Sequence, residues 1–278
     1  LLVGEDSILR PEDRVLSDEQ NHASTIDGLR LTKAKRTIYP HLDLDALERE
    51  LKTPHDGRTV IVTESLFSMD GDIAPLDRLA DLAAHYDASL VVDDAHATGV
   101  FGDERGSGLI EQFGVEDRVD AVTSTFGKAL GFFGAFVTGP RPLIDWLVSR
   151  ARSFIFSTAP PPIVLAGMEA ALDVATSEPE RRGLVLARAD ELRRLLRSHG
   201  LDCLQSRGPI VPVVVGGNER SLRIAASIQA RGFDVRAIRP PSVAPGTSRL
   251  RVCVHADHCE ETISSLAVAI SEAFRASP

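Results

Sequence analysis

The sequence predicts an α/β protein: a large domain built on a mainly parallel sheet, then a smaller α/β domain. Two observations carry this. Short apolar runs of strand length alternate with stretches whose leucines and alanines recur at helical spacing, an order that calls for right-handed crossovers between parallel strands. Three of those runs also end in polar residues, as expected where a ligand sits outside the carboxyl ends of a sheet.

Each element follows in order. After Pro40, Leu44, Leu47 and Leu51 keep helical spacing. Thr59 to Thr63 (TVIVT) is a continuous run suited to a strand covered on both faces. It closes in Glu64 and Ser65 and leads into Phe67 to Asp72, where Asp70-Gly71 signals a turn. Leu76, Leu79, Ala80 and Ala83 make the next helix, ending near Tyr86. Leu90 to Val92 form a second central strand, which ends in Asp93, Asp94 and His96. Ala121 to Thr125 form a third, running into Lys128 between Gly127 and Gly131. Gly134 to Thr138 is a further strand, and Pro160 to Pro162 set the start of a helix through Ala170.

The pattern changes after Glu178-Pro179. A long helix carries Val185, Ala189, Leu192 and Leu196 on one face and many arginines on the other, stopping at Gly200. That arginine face is expected to be solvated. Ile210 to Val215, Val235 to Ile238 and Leu250 to Val254 read as strands, with helices near Ser221 to Arg231 and Glu260 to Phe274. The expected domains are residues 1–177 and 178–278.

Composition narrows the function. A net charge of −9 without a basic run argues against a nucleic-acid partner. Cys203, Cys253 and Cys259 are odd in number and lack metal-ligand spacing, so reduced thiols are expected, with no disulfide framework and no metal site. No apolar stretch reaches the roughly 18 residues of a membrane span, and the start is not signal-like. These features fit a cytoplasmic enzyme.

Lys128 is the centre of the chemistry. Flanking glycines let the backbone turn sharply around it, and a lysine presented this way can form a Schiff base once its charge is suppressed. Alone, a glycine-lysine pair is more often a surface turn. Asp93 by itself could cap the following turn, a lone histidine is usually structural, and hydroxyls at strand ends usually cap backbone groups.

Taken together, NHASTIDG (Asn21 to Gly28), TESLFSMDGDIAPL, VVDDAHATGVFG, TFGKALG, FIFSTAPPP and AIRPPSVAPGTSRLRV resemble, in order, the blocks of the pyridoxal-phosphate-dependent α-oxoamine synthases. That family has the fold-type-I transferase architecture. The resemblance implies that Lys128 carries pyridoxal 5'-phosphate and moves the substrate's α-proton. It implies that Asp93 pairs with the cofactor's ring nitrogen and His96 bonds its phenolic oxygen. His22 would stack on the ring and meet substrate. Thr125 and Ser68 would bind cofactor, Thr125 through the phosphate. Arg251 would hold the amino acid's carboxylate, and Ser242, where threonine is usual, would also contact substrate. Ala97 and Phe132-Phe133 depart from the usual residues and bear on the acyl pocket.

Within the family the blocks look most like the branch that joins L-alanine to pimeloyl-CoA or a pimeloyl-carrier protein in biotin synthesis, as a homodimer. A sister synthase joining glycine to acetyl-CoA or succinyl-CoA is the alternative. A non-catalytic partner subunit is another, although such subunits typically lose the lysine kept here. A nicotinamide oxidoreductase is disfavoured because no G-x-G-x-x-G follows the first strand. Family members carry further residues before the NHAS block, so an N-terminally truncated chain is expected.

Overall fold

The structure is a computed structural model that describes residues 8–277. The chain folds into two compact units, one comprising the chain up to Phe67 together with Ala74–Ser177, the other Ser68–Ile73 together with the chain from Glu178 onward.

In the first unit the order is β1 (Arg14–Asp18), α1 (Ala23–Arg30), β2 (Lys35–Tyr39), α2 (Leu44–Lys52), β3 (Thr59–Glu64), α3 (Leu76–His85), β4 (Ala88–Asp93), α4 (Leu109–Phe113), β5 (Ala121–Thr125) and β6 (Ala135–Thr138). Helices α5 (Arg141–Arg150), α6 (Arg152–Ile155) and α7 (Pro162–Ser177) follow. The strands form one six-stranded sheet in the order β2-β1-β3-β4-β5-β6. All pairings are parallel except β5 with β6. Val15, Val60 and Val62 pack with Leu9, Leu29 and Ala34 in one buried cluster.

β1, α1 and β2 carry no clear apolar period, and with α4, α5 and α6 they are elements that the sequence reading does not reach. β1 (RVLSD) is nevertheless fully buried, because its polar groups find partners. Arg14 donates from Nε to Thr59 Oγ1 at 2.8 Å and from its terminal nitrogens to the carbonyls of Glu50, Thr53 and Leu51. Those carbonyls lie at the end of α2, where helical donors run out and the Glu50 carbonyl has Thr53 N at 3.0 Å as its backbone donor, so a buried cation is well placed. At the other end of β1, Asp18 accepts from Gln20 N, Leu42 N and the His41 ring.

In the second unit, α8 (Pro179–Ser198), β7 (Ile210–Gly216), α9 (Asn218–Gln229), β8 (Arg236–Ile238), β9 (Ser248–Cys253) and α10 (Glu260–Ala276) follow in order. The sheet is antiparallel, in the order β7-β9-β8. Leu192 and Leu196 of α8, Ile224 and Ile228 of α9, and Ile263 and Ile270 of α10 cover it in a single core. The arginine-rich face of α8 is not wholly solvated, contrary to expectation: Arg182 and Arg193 are buried. Arg193 donates to the Gly208 carbonyl at 2.7 Å and pairs with Asp190. Its long stem packs along apolar surface while its head finds an acceptor.

The short stretch Ser68–Ile73 belongs to this second unit. Asp70 pairs with the buried Arg249, and Arg207 N donates to the Gly71 carbonyl at 2.6 Å. Gly71 has φ of 68°, and a Cβ there would sit 2.6 Å from the Ile210 carbonyl oxygen, so only glycine fits this close passage.

Helices α5, α6 and α7 contain no buried residue. Their surface is apolar all the same: Phe154, Phe156, Ile163 and Leu165 are exposed, as is Trp146. Among the described residues no helix is long and apolar enough to cross a membrane.

Replacing Arg14 by Leu keeps the apolar stem but removes the donor to Thr59 and to the Leu51 and Thr53 carbonyls, while the Glu50 carbonyl keeps Thr53 N. An unsatisfied buried polar group costs about 1–3 kcal/mol, so the denaturant midpoint should fall by an amount equivalent to about 3 kcal/mol. An unchanged midpoint would show that these carbonyls are satisfied in another way.

Candidate active site

Parallel register brings the strand ends together. Glu64 at the end of β3 is level with Asp93 at the end of β4, and Asp93 is level with Thr123 on β5. Side chains alternate along strands, so Val62 and Glu64, Val91 and Asp93, and Thr123 and Thr125 project on one face. These residues wall a cleft of about 440 Å³ with His22 and Lys128. That volume falls within the ~300–1,000 Å³ usual for small-molecule sites.

Each polar group has a local cause. β5 and β6 are joined by a loop in which Gly131 N donates to the Lys128 carbonyl at 2.9 Å and Phe132 N to the Phe126 carbonyl at 2.7 Å. Gly131 takes φ of 61°, which a branched side chain would resist. Lys128 is thereby carried, exposed, on a turn at the rim of the cleft. The turn after β4 supports it: a Cβ on Gly99, whose φ is 81°, would stand 3.0 Å from Ala129 Cβ. Ser124 Oγ donates to Thr98 Oγ1 at 2.7 Å, and Thr98 Oγ1 to the Asp94 carbonyl at 3.0 Å.

Asp93 and Asp94 have different surroundings. Asp93 lines the cleft and accepts from Ala95 N at 3.0 Å through Oδ1. Asp94 points the other way and is fully buried. Burial pushes its carboxyl up to about 7, against the pull of the Ser65 hydroxyl, the Leu109 backbone N–H and the Thr98 hydroxyl. A Cβ on Gly108 would overlap Asp94 Oδ2, so Asp94 holds the start of α4 rather than the cleft.

His22 is the N-cap of α1, and its Nδ1 accepts from Ser24 N at 3.2 Å. A nitrogen that accepts carries no proton, so the neutral ring bears its proton on Nε2. Asn21 fixes this turn by donating to the Val62 carbonyl at 2.8 Å and to Ser17 Oγ at 2.9 Å. The Thr125 hydroxyl lines the cleft but donates to the Gly134 carbonyl at 2.8 Å and accepts from Gly127 N. His96 sits half-buried in the turn after β4 and is not part of the cleft wall.

The structure thus brings Lys128, Asp93, His22 and Thr125 into one cleft. Ser68, Arg251 and Ser242 stand in the second unit. There Arg251 Nε donates to the Ser68 carbonyl at 2.7 Å, and its Nη1 lies 3.0 Å from Cys253 Sγ. Ser242 is exposed in a turn closed by its own N–H to the Arg239 carbonyl. Glu64 is a site residue to which the sequence pattern assigns no role. It lines the cleft, and its Oε1 is buried without a hydrogen-bond partner among the described residues. Burial, with Asp93 next to it, pushes the Glu64 carboxyl up to about 8. Its place at a strand end was the available signal. Among the described residues no group of three or more histidine, cysteine, aspartate or glutamate side chains is set to hold a metal.

A lysine, a carboxylate one strand away and a histidine at a helix start are the donor set that a phosphorylated pyridine aldehyde requires. An amine can meet its carbonyl, and an anion can pair with a protonated ring nitrogen. The residues present fit that group.

The fold is that of the fold-type-I pyridoxal phosphate enzymes. It superposes with a TM-score of 0.90 on a serine palmitoyltransferase variant from S. paucimobilis solved with a bound PLP–myriocin aldimine, at 29% identity over 95% of this chain and 67% of that one. The TM-score with the 8-amino-7-oxononanoate synthase of Francisella tularensis is 0.82, at 27% identity over 95% of this chain and 76% of that one. Residues 4–270 match the family described as aminotransferase class I and II, and the chain belongs to that family, in its α-oxoamine synthase branch. It is 47% identical over 261 residues to the 8-amino-7-oxononanoate synthase of Anaeromyxobacter dehalogenans, covering 94% of this chain and 66% of that relative. The chain therefore spans slightly less than two thirds of that relative's length.

Gly99→Ala tests the support of the lysine loop. A left-handed non-glycine residue costs about 1–2 kcal/mol, and the added methyl presses on Ala129. Stability should drop by that amount, with faster amide exchange at Gly131 than in the parent. Unchanged exchange would show that the two turns do not depend on each other.

Proposed function

We propose that this protein is a pyridoxal-phosphate-dependent acyltransferase that joins L-alanine to a pimeloyl thioester. The products are 8-amino-7-oxononanoate, carbon dioxide and the free thiol of coenzyme A or a carrier protein, in biotin synthesis in the cytoplasm. The observation that carries this reading is Lys128 on its glycine turn lining one cleft with Asp93, in a chain 47% identical to a synthase of that name.

When bound, pyridoxal phosphate supplies an electron sink for the negative charge that develops on the amino acid's α-carbon. Lys128 would hold the cofactor through its amine and, as a free amine, would take the α-proton as general base. Asp93 keeps a proton on the cofactor's ring nitrogen, since an anion at contact favours the charged form. His22, with its proton on Nε2, can donate to the thioester's carbonyl oxygen as charge builds there. His96 is proposed to bond the phenolic oxygen, Ser68 to bind cofactor, and Thr125 to reach the phosphate by rotating its hydroxyl from Gly134. Arg251 is proposed to clamp the amino acid's carboxylate with its planar fork, and Ser242 to contact substrate.

Assembly as a homodimer is part of the proposal. The apolar, unburied face of α5 to α7 supports it, because contiguous exposed apolar surface marks interaction sites. A second reading has its own observation: the TM-score is higher with the serine palmitoyltransferase than with the 8-amino-7-oxononanoate synthase structure. The 47% sequence identity weighs the other way.

Borohydride reduction in the presence of pyridoxal phosphate, followed by peptide mass spectrometry, should place the pyridoxyl group on Lys128. Lys128→Ala should abolish it, and a pyridoxyl group on Lys33, Lys35 or Lys52 instead would defeat the assignment. Asp93→Asn should leave the fold intact and slow α-proton exchange of alanine by orders of magnitude, because an amide cannot hold the ring nitrogen protonated. Equal exchange rates would remove Asp93 from the role.

Substrate choice is read by parallel assays with alanine, glycine or serine against pimeloyl-CoA, acetyl-CoA or palmitoyl-CoA. Alanine should exceed glycine only modestly, since one methyl in an apolar pocket is worth about 1–3 kcal/mol. Faster turnover with glycine and acetyl-CoA, or with serine and palmitoyl-CoA, would replace this reading.

A further inference from the structure

We propose that Glu64 is a positioning residue of the Lys128 site, its carboxyl tying the end of β3 to the backbone of His22 and standing as a neutral acid beside Asp93. The inference rests on the reading of the cleft as a pyridoxal phosphate site. Its geometry is independent of that reading.

Three observations converge on Glu64. It is level with Asp93 on the neighbouring parallel strand, so the two carboxyl groups start from backbones about 4.8 Å apart and project on the same face. Two carboxylates so close cannot both ionise cheaply, and the more buried one keeps its proton. Glu64 is 2% exposed whereas Asp93 is half-buried, which selects Glu64 as the neutral partner. Finally, the Glu64 carboxyl accepts from the His22 backbone N–H, while Oε1 is buried with no partner among the described residues.

The surroundings decide what ionisation would do. Asp93 from β4 and Asp18 from β1 face Glu64 with negative charge, Lys128 faces it from the β5–β6 loop, and His22 meets it from the start of α1. The His41 ring is already bonded to Asp18. With its proton on, Glu64 leaves Asp93 as the anion for a protonated ring nitrogen and sets no countercharge against the Lys128 amine. With its proton off, Glu64 favours Lys128 as an ammonium and adds a charge against a phosphorylated ligand. A folded-state pKa raised above the unfolded one contributes stability below the unfolded value and loses it as pH climbs through the folded value. The window here runs from about 4.5 to about 8.

The test compares the parent with Glu64→Gln, a neutral isostere that still accepts from His22 N–H. Dissociation constants for pyridoxal phosphate are measured by fluorescence between pH 6 and 9.5, and thermal midpoints of the cofactor-free protein between pH 4.5 and 9. The parent should bind roughly tenfold more weakly at pH 9 than at pH 7, a factor that one pKa unit supplies. Glu64→Gln should change much less over that range. Without cofactor, the parent should lose stability relative to Glu64→Gln as pH rises from 4.5 to 8.

Parallel binding curves overturn the proposal, as does a pH-independent stability offset, which is all that a packing role would give. Loss of binding by Glu64→Gln at every pH also overturns it, because the variant retains the neutral form. If the parent itself binds no pyridoxal phosphate, the reading of the cleft fails, and the cofactor-free stability profile alone decides the state of Glu64.

Discussion

Register is the constraint on which the site depends. Parallel strands β3, β4 and β5 end at nearly the same level, with Glu64 opposite Asp93 and Asp93 opposite Thr123. A parallel ladder holds side chains of paired residues on a common face. A slip of one residue in β4 would turn Asp93 into the position of Asp94 and bury the wrong carboxylate. The hydrogen bonds from Ser124 to Thr98 and from Thr98 to Asp94 hold β5 and the turn after β4 in step. Gly99 against Ala129 passes that order to the lysine turn.

Polar groups in the sheet's interior are tolerated because each has a structural task. Arg14 closes the end of α2, Asp18 gathers the turns around Gln20 and Leu42, and Asn21 ties the His22 turn to β3. Buried polar groups cost little once bonded. Glu64, like Asn21 at its Oδ1, keeps one oxygen without a protein partner among the described residues, but unlike Asn21 it is ionisable. A carboxyl left so beside a second carboxyl is costly for the fold alone, and that cost is characteristic of residues kept for a site.

The antiparallel return of β6 has a chemical consequence. A crossover helix after β5 would have carried the chain away over a face of the sheet. A hairpin instead keeps Lys128 on a short loop whose two ends are bonded at Phe126 with Gly134 and with Phe132. The lysine is held by backbone geometry on both sides, so its position is fixed although the side chain is exposed. Downstream, α5 to α7 leave apolar side chains uncovered.

Periodicity alone made β3, β4 and β5, the helices α2, α3, α8 and α10, and the turn around Lys128 legible, because each has a regular apolar pattern or a glycine that only one backbone shape explains. The same pattern told nothing of β1, whose RVLSD is buried only because distant groups satisfy Arg14 and Asp18, nor of α1, which begins at a histidine cap. It placed Arg193 on a solvated face, although the acceptor at Gly208 lets it lie inside. Asp93 and Asp94 are neighbours in sequence and equal in chemistry. Pleating sends one to the cleft and the other into the core, and Glu64 acquires its proton only from the strand beside it. Local order was written in spacing; which carboxyl carries charge is a property of burial and of the next strand, and only the tertiary structure supplies both.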